Sequence, residues 1–222
     1  MIETYANPRA LAAAAARGIA ERLSEGLKTR ARAALVATGG RSPGPVYDLL
    51  KGAPIDWARV VVTLSDERCV AADAAASNAR LVRERLLADG AAKAHLLPLW
   101  PKPDEAALAA LAPFDAVMLG MGEDGHVASL IPGDPALARK LDPAGAAWLA
   151  DTPEGLGSPP LARVTLTLKA LINARAIFLL IAGGAKRGVI DRAASGEDLP
   201  VRALLVQNDV PVRVLWTPAN QR

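Results

Sequence analysis

The sequence predicts an α/β fold in one domain, with a mostly parallel sheet covered by helices on both faces. Two observations carry this. Short apolar runs alternate with stretches of helical periodicity, and several of the runs end in glycines or clustered charges where the chain turns into the next helix. A chain of 222 residues with 51% hydrophobic content buries one good core and needs no second domain, so residues 1–222 are expected to form a single unit.

The elements follow in order. Asn7 before Pro8 reads as a cap and first-turn proline opening an amphipathic, alanine-rich helix. Apolar runs at 33–38, 59–65, 115–119, 176–182 and 212–217 are the predicted strands. Between them, helical patterns fall at 43–51, 78–89, 104–111 and 185–194, with Ser42 and Ser77 as N-cap residues for the first two. Pro98, Pro101 and Pro103 mark a break around Trp100. The Gly/Pro-rich stretch 151–160 reads as a surface excursion near the site rather than a domain linker. The clusters Ala12–Ala16 and Ala74–Ala76 reflect compositional bias, because caps and leucines surround them.

Composition narrows the function classes. The longest apolar stretches fall far short of the roughly 20 residues a membrane-crossing helix needs, so no membrane association is expected. Arginine and alanine near the start resemble a transit peptide, but Glu3, Glu21 and Glu25 contradict its acid-poor composition, and no secretory signal is visible. One cysteine, Cys69, makes no intramolecular disulfide and reads as a small apolar filler, which leaves the cytoplasm as the expected location. A net charge of +3 suits an anionic ligand. With no basic run and only 4% aromatic residues, nucleic acid is not an expected partner. Two histidines without metal-ligand spacing support no metal site, and no cofactor is expected. The oligomeric state is expected to be a monomer or small homo-oligomer.

Four segments carry possible chemistry. After the run at 33–38, Gly39, Gly40, Arg41, Ser42 and Pro43 form a glycine-rich turn before a helix, in outline a phosphate cradle. It lacks P-loop spacing, and a plain βα turn is the alternative. Asp66, Glu67 and Arg68 follow the next run, with Asp73, Ser77 and Asn78 beyond. There Arg68 suits a phosphate or oxyanion and Asp66 a sugar hydroxyl or another side chain, against the alternative of a solvated turn.

The third segment, residues 114–133, runs FDAVMLGMGEDGHVASLIPG. An apolar strand there delivers a loop displaying Asp124 and His126, and histidine takes and returns a proton near neutrality. Gly120, Gly122 and Gly125 happen to spell GxGxxG. A dinucleotide site fails on context, since Pro132 interrupts the expected helix and no acidic strand end follows at about 20 residues. His95 sits in ordinary surroundings and is assigned no function. The fourth segment pairs Arg163-Val164-Thr165-Leu166-Thr167 with Gly183-Gly184-Ala185-Lys186, a second place where glycines and a cation meet a helix start.

Together GGRSP, DERCV with SN downstream, GMGEDGHVASLIPG, RVTLT and GGAKR resemble the 6-phosphogluconolactonase family over roughly residues 35–190. The resemblance implies a Rossmann-like three-layer α/β sandwich, shared with glucosamine-6-phosphate deaminase. It also implies hydrolysis of 6-phosphoglucono-δ-lactone to 6-phosphogluconate in the pentose phosphate pathway. His126 would be the general base, with Asp124 in the same loop. Gly39, Gly40, Ser42, Arg68, Arg163 and Lys186 would approach the phosphate or sugar acid of this small-molecule substrate. The chain departs from the family at Arg41, where serine is usual, at Val127 for threonine and at Ile131 for phenylalanine. An amino-sugar-phosphate deaminase/isomerase would carry an Ala-Phe-Asn-Glu-Pro type continuation after the GH dipeptide. Here Val127 to Pro132 reads VASLIP, without the glutamate. A non-catalytic sugar-phosphate sensor would add a DNA-reading segment, for which the sequence shows no spare stretch.

Overall fold

The computed structural model describes residues 2–218. A seven-stranded sheet holds β1 (Ile2–Thr4), β2 (Ala33–Ala37), β3 (Val60–Leu64), β5 (His95–Leu96), β6 (Ala116–Gly120), β9 (Ile177–Ala182) and β10 (Val212–Thr217). Its spatial order is β1-β10-β9-β6-β2-β3-β5, and every neighbouring pair is parallel. A second, antiparallel sheet of order β4-β8-β7 is made by β4 (Asp66–Arg68), β7 (Leu149–Thr152) and β8 (Arg163–Leu166). The central strands β2 and β9 are buried almost throughout, as expected where helices cover both faces.

The helices are α1 (Pro8–Thr29), α2 (Gly44–Leu50), α3 (Asn78–Arg85), α4 (Glu105–Ala109), α5 (Leu137–Lys140), α6 (Leu168–Ile172), α7 (Gly184–Ala194) and α8 (Pro200–Val206). Right-handed crossovers sort them: β2 to β3 runs one way along the sheet and β9 to β10 the other, which puts α2 and α7 on opposite faces. Contacts agree, since α1 packs on α2, and α8 packs on α6 and α7. Alanines and glycines on α1 let it lie close to the sheet; a Cβ at Gly18 would stand 2.7 Å from the Phe178 ring. The buried hydrophobic residues of both faces form one continuous cluster.

The five predicted strands are present within a residue or two at each end. Asn7 Oδ1 accepts the Ala10 amide at 2.9 Å and Ser77 Oγ the Arg80 amide at 3.1 Å, so both caps form. Ser42 does not cap: α2 begins at Gly44 behind Pro43 with no side-chain cap bond. The helix predicted over 78–89 ends at Arg85, because the chain turns at Asp89, whose φ is +51°, into a 3₁₀ turn. Strands β1, β4, β5, β7 and β8 went unpredicted; at two to four residues each, none is long enough to show periodicity. Part of the excursion at 151–160 is strand, as Asp151 and Thr152 belong to β7.

Candidate active site

Connections leave β2 and β6 in opposite directions, toward β3 and toward β9, although the two strands are neighbours. Such a reversal opens a crevice outside the carboxyl ends of the strands, where open α/β sheets bind their ligands. A cleft of about 330 Å³ lies there. Residues from five places line it: Thr38 to Ser42 after β2, Asp66 and Arg68 of β4 with Asn78 of α3, Gly120 to Gly122 with His126 and Ala128 after β6, Ser158 with Arg163 of β8, and Lys186 of α7. A larger groove of about 520 Å³ between α1 and α2 is lined mainly by alanines and other aliphatic residues, with Arg17, Glu21, Glu25 and Lys28 of α1 along one side.

Each wall is held by identifiable bonds. Where β2 leaves the sheet, the buried Tyr47 hydroxyl accepts from the Thr38 amide at 2.9 Å and donates to the Thr38 carbonyl at 2.7 Å, which fixes the start of the glycine turn. Gly39 is required by a close approach: a Cβ there would fall 1.8 Å from Asn78 Oδ1. Glu67, buried beneath the cleft, accepts from the amides of Asn78 and Ala79 at 2.7 Å each and from Ser77 Oγ at 2.9 Å. A carboxylate at a helix N-terminus satisfies donors the helix itself leaves free. Asn78, so placed, accepts from Arg68 at 2.7 Å and donates to the Asp66 carbonyl at 2.9 Å.

The loop after β6 is a tight turn. The Gly122 amide donates to the His126 carbonyl at 2.9 Å, and the Gly125 amide to Gly122 at 3.2 Å. Gly125 takes φ +80°, and Ala128, a non-glycine, takes φ +50°, a strained conformation beside the cleft. His126 Nδ1 stands 2.6 Å from Asp124 Oδ1. An ionised carboxylate there accepts Nδ1–H, which assigns the proton and leaves Nε2 as the ring's free acceptor. Behind the loop Ser129 donates from Oγ to Asp66 at 2.7 Å and from its amide to Thr165 Oγ1 at 3.1 Å.

The cleft is cationic. Arg68 and Arg163 are directly paired across the antiparallel β4–β8 ladder. Like charges so placed repel, and an anion between them removes the penalty. Each has a buried Nε with no hydrogen-bond partner among the described residues. Burial pushes the Arg163 guanidinium down from its ordinary value. Lys186 is likewise lowered, first by burial; Glu123 opposes the shift and the positive charge of Arg41 adds to it.

Nine of the ten residues expected at the site, Gly39, Gly40, Arg41, Ser42, Asp66, Arg68, His126, Arg163 and Lys186, line the cleft, and the tenth, Asp124, bonds to His126. Asp73 is exposed away from it. Sequence reasoning did not assign Ser158, Ala128 or the buried Glu67 and Ser129 to the site. Only the place of Glu67 inside DER and of Ser129 three residues after DGH hinted at them. Val127 and Ile131, two departures from the family pattern, are buried packing residues. Residues following Gly120 make no helix until Leu137, so the GxGxxG spacing does not build a dinucleotide turn. Among the described residues no cluster of three His, Cys, Asp or Glu side chains is placed to hold a metal ion, and no helix is long and apolar enough to cross a membrane.

Known proteins resemble this chain along nearly its full length. A 6-phosphogluconolactonase of Caulobacter vibrioides is 39% identical over 97% of this chain and 96% of the relative. One of Rhizobium meliloti is 38% identical over 96% and 97%. The crystal structure of a 6-phosphogluconolactonase from Shewanella baltica superposes with a TM-score of 0.89 at 37% identity, covering 98% of this chain and 97% of that one. The model of the glucosamine-6-phosphate isomerase/6-phosphogluconolactonase family matches residues 6–216, and the chain belongs to that family.

Proposed function

We propose that the cleft hydrolyses 6-phospho-D-glucono-1,5-lactone to 6-phospho-D-gluconate, with His126 as general base and the surrounding cations as the phosphate site. The observation that carries the reading is the Asp124–His126 pair at 2.6 Å on a loop facing a cleft that is otherwise cationic. Water attacking C1 must lose a proton. Nε2 takes it while Asp124 holds the tautomer and stabilises the imidazolium, a contribution on the order of 10²–10⁴ in rate. Negative charge then develops on the carbonyl oxygen, and backbone amides or a cation of the cleft stabilise it. As the tetrahedral intermediate collapses, the C1–ring-oxygen bond breaks and the imidazolium returns its proton to the departing C5 oxygen. The carboxylic acid so formed releases its proton to water, which leaves 6-phospho-D-gluconate and the neutral imidazole.

The phosphate stays outside the chemistry. Held by Arg68, Arg163 and Lys186 beside the Gly39–Gly40 turn, it anchors the sugar so that C1 lies over His126, which turns a bimolecular encounter into an oriented one. The buried Asp66, braced by Ser65 and Ser129, faces the cleft where it would accept from a sugar hydroxyl. We further propose that residues 1–222 act as one domain and that the protein works in the cytoplasm.

An amino-sugar-phosphate deaminase would need a carboxylate after the GH dipeptide. Residues 127–131 contain none, and Val127, Leu130 and Ile131 are buried in the core. The two activities separate in one experiment. Purified protein is supplied in parallel with 6-phosphogluconolactone, coupled to 6-phosphogluconate oxidation, and with glucosamine 6-phosphate, followed by ammonia release. Lactone turnover well above spontaneous opening, with no ammonia, is expected. Ammonia release without lactone turnover overturns the assignment.

A further inference from the structure

The loop that carries His126 runs straight into a second tight turn. The Leu130 amide donates to the Val127 carbonyl at 3.0 Å, so Ala128 and Ser129 are the two central residues. Ala128 takes φ +50° there, a conformation that costs a residue with a Cβ and persists only where its surroundings over-determine it. Val127 and Leu130 fix the ends of the turn in the core. Its tip is fixed by Ser129, each of whose polar groups is bound to a different strand of the antiparallel sheet. The amide donates to Thr165 Oγ1 of β8 at 3.1 Å, the hydroxyl donates to Asp66 of β4 at 2.7 Å, and the carbonyl accepts from Thr152 Oγ1 of β7 at 2.8 Å.

Thr152 is buried and does not line the cleft. Behind it lies a charge that the chemistry does not use. Lys140 of α5 is buried against Asp134, and its ammonium donates to Thr152 Oγ1 at 3.0 Å. An ammonium only donates, so the threonine oxygen accepts from it, and the single hydroxyl proton is left for the Ser129 carbonyl. A buried ion pair adds little net stability over well-packed apolar residues, and its best-attested use is to fix one arrangement over others. Here the arrangement is the direction of one hydroxyl.

We propose that Thr152 is a positioning residue for His126: directed by the buried Lys140–Asp134 pair, its hydroxyl holds the Ala128–Ser129 turn in its strained form and so keeps the adjoining imidazole aimed at the cleft. This rests on the lactone-hydrolysis reading above, in which His126 is the base. The connection is short. Val127 alone separates His126 from Ala128, and the His126 carbonyl is itself bound by the Gly122 amide, so a turn that relaxes shifts the backbone of the ring. Ligand capture is largely independent of it. Asp66 keeps its bond from Ser65 Oγ at 2.8 Å, and Arg68, Arg163 and Lys186 stand on other walls.

The test compares wild type with Thr152→Val, which keeps the shape and removes the hydroxyl, and with Thr152→Ser, which keeps the hydroxyl. Turnover is referred to the number of sites that bind 6-phosphogluconate by calorimetry, so an unfolded fraction does not count. Thr152→Val should lower kcat about tenfold with KM for 6-phosphogluconolactone within about twofold, and Thr152→Ser should stay within about threefold of wild type. The chain has two histidines, and His95 lies exposed on edge strand β5, so the ring nitrogens of His126 are readily told apart in a proton–nitrogen correlation spectrum. Their resonances should move in Thr152→Val and return in Thr152→Ser, while those of His95 stay in place; lost stability alone would move neither. A double variant, Lys140→Met with Asp134→Asn, removes both charges together and keeps the acceptor that the Ala136 amide uses at 2.8 Å. With Thr152 intact but undirected, it should lower kcat about threefold, without the lone buried ion that a single substitution leaves. Wild-type kcat per site in Thr152→Val, or His126 resonances that do not move, overturns the role of Thr152. Wild-type kcat in the double variant overturns that of the ion pair. Absence of lactone turnover by the wild type instead overturns the hydrolysis reading, and the resonances, read without turnover, still judge the positioning.

Discussion

At the scale of single residues the site depends on how closely a backbone and a ring approach. A Cβ added to Gly122 would lie 2.3 Å from both His126 Nδ1 and Asp124 Oδ1, so any side chain there pushes the pair apart. Removing the ring and displacing it should therefore give related outcomes. His126→Ala is expected to reduce turnover to near the spontaneous background while binding 6-phosphogluconate, by calorimetry, within a few-fold of wild type. Gly122→Ala should cost about 10²-fold in kcat with circular dichroism unchanged, because it keeps the base and spoils its geometry. Normal kcat in either variant contradicts the role given to His126. The glycines of this loop had been conspicuous in the sequence as a GxGxxG spacing. Gly122 leaves steric room for an imidazole rather than for a pyrophosphate, and Gly125 serves the turn through its φ of +80°.

At the scale of elements, the cleft is held by a carboxylate that never touches it. Glu67 accepts four hydrogen bonds, from the Arg68, Asn78 and Ala79 amides and from Ser77 Oγ, and so ties β4 to the start of α3. Glu67→Gln puts an amide NH₂ group where an acceptor oxygen was, leaving buried donors unsatisfied at about 2 kcal/mol or more. For a domain of this size that is a fall in Tm of roughly 4–8 °C. Since Asn78 and Arg68 lose their register together, KM should rise as well, and a variant with lowered Tm but unchanged KM refutes the coupling. This bracing also shows what the sequence could convey. The longer strands 33–37, 60–64, 116–120, 177–182 and 212–217 were legible because each is a mainly apolar run bounded by glycine, proline or charge, and the first four are largely buried. The antiparallel sheet was not, because β4, β7 and β8 have three or four residues each and take their pairing from partners up to about a hundred residues away. For the same reason Arg68 and Arg163 were separately visible as cations, while their direct opposition on one ladder was not. Short motifs report local chemistry, and register is a long-range property.

At the scale of the whole molecule, the edge of the sheet is closed by charge. Short edge strand β1 pairs with β10 over Ile2 to Thr4, and Glu3 forms a two-bond fork with Arg213, at 2.7 and 2.8 Å. Tyr5 donates to the same carboxylate at 2.6 Å, and the Arg213 guanidinium stacks 5.2 Å from the Phe178 ring centre beneath α1. The hydrogen bonds from Arg213, with smaller help from Tyr5 and against the cost of burial, hold the Glu3 carboxyl at about 2 instead of its ordinary 4.5. The native state therefore binds fewer protons than the unfolded chain between those values. The stabilisation is complete above about pH 4.5 and disappears as pH falls toward 2. A shift of that size corresponds to about 3 kcal/mol at full strength, which partial exposure and salt reduce to about 1–2 kcal/mol. Glu3→Gln copies the protonated carboxyl, so it should lower unfolding free energy by about that amount at pH 7 in urea titrations and by almost nothing near pH 2. A wild-type-minus-variant difference that is the same at both pH values would place the anchoring of β1 in its backbone ladder rather than in this ion pair.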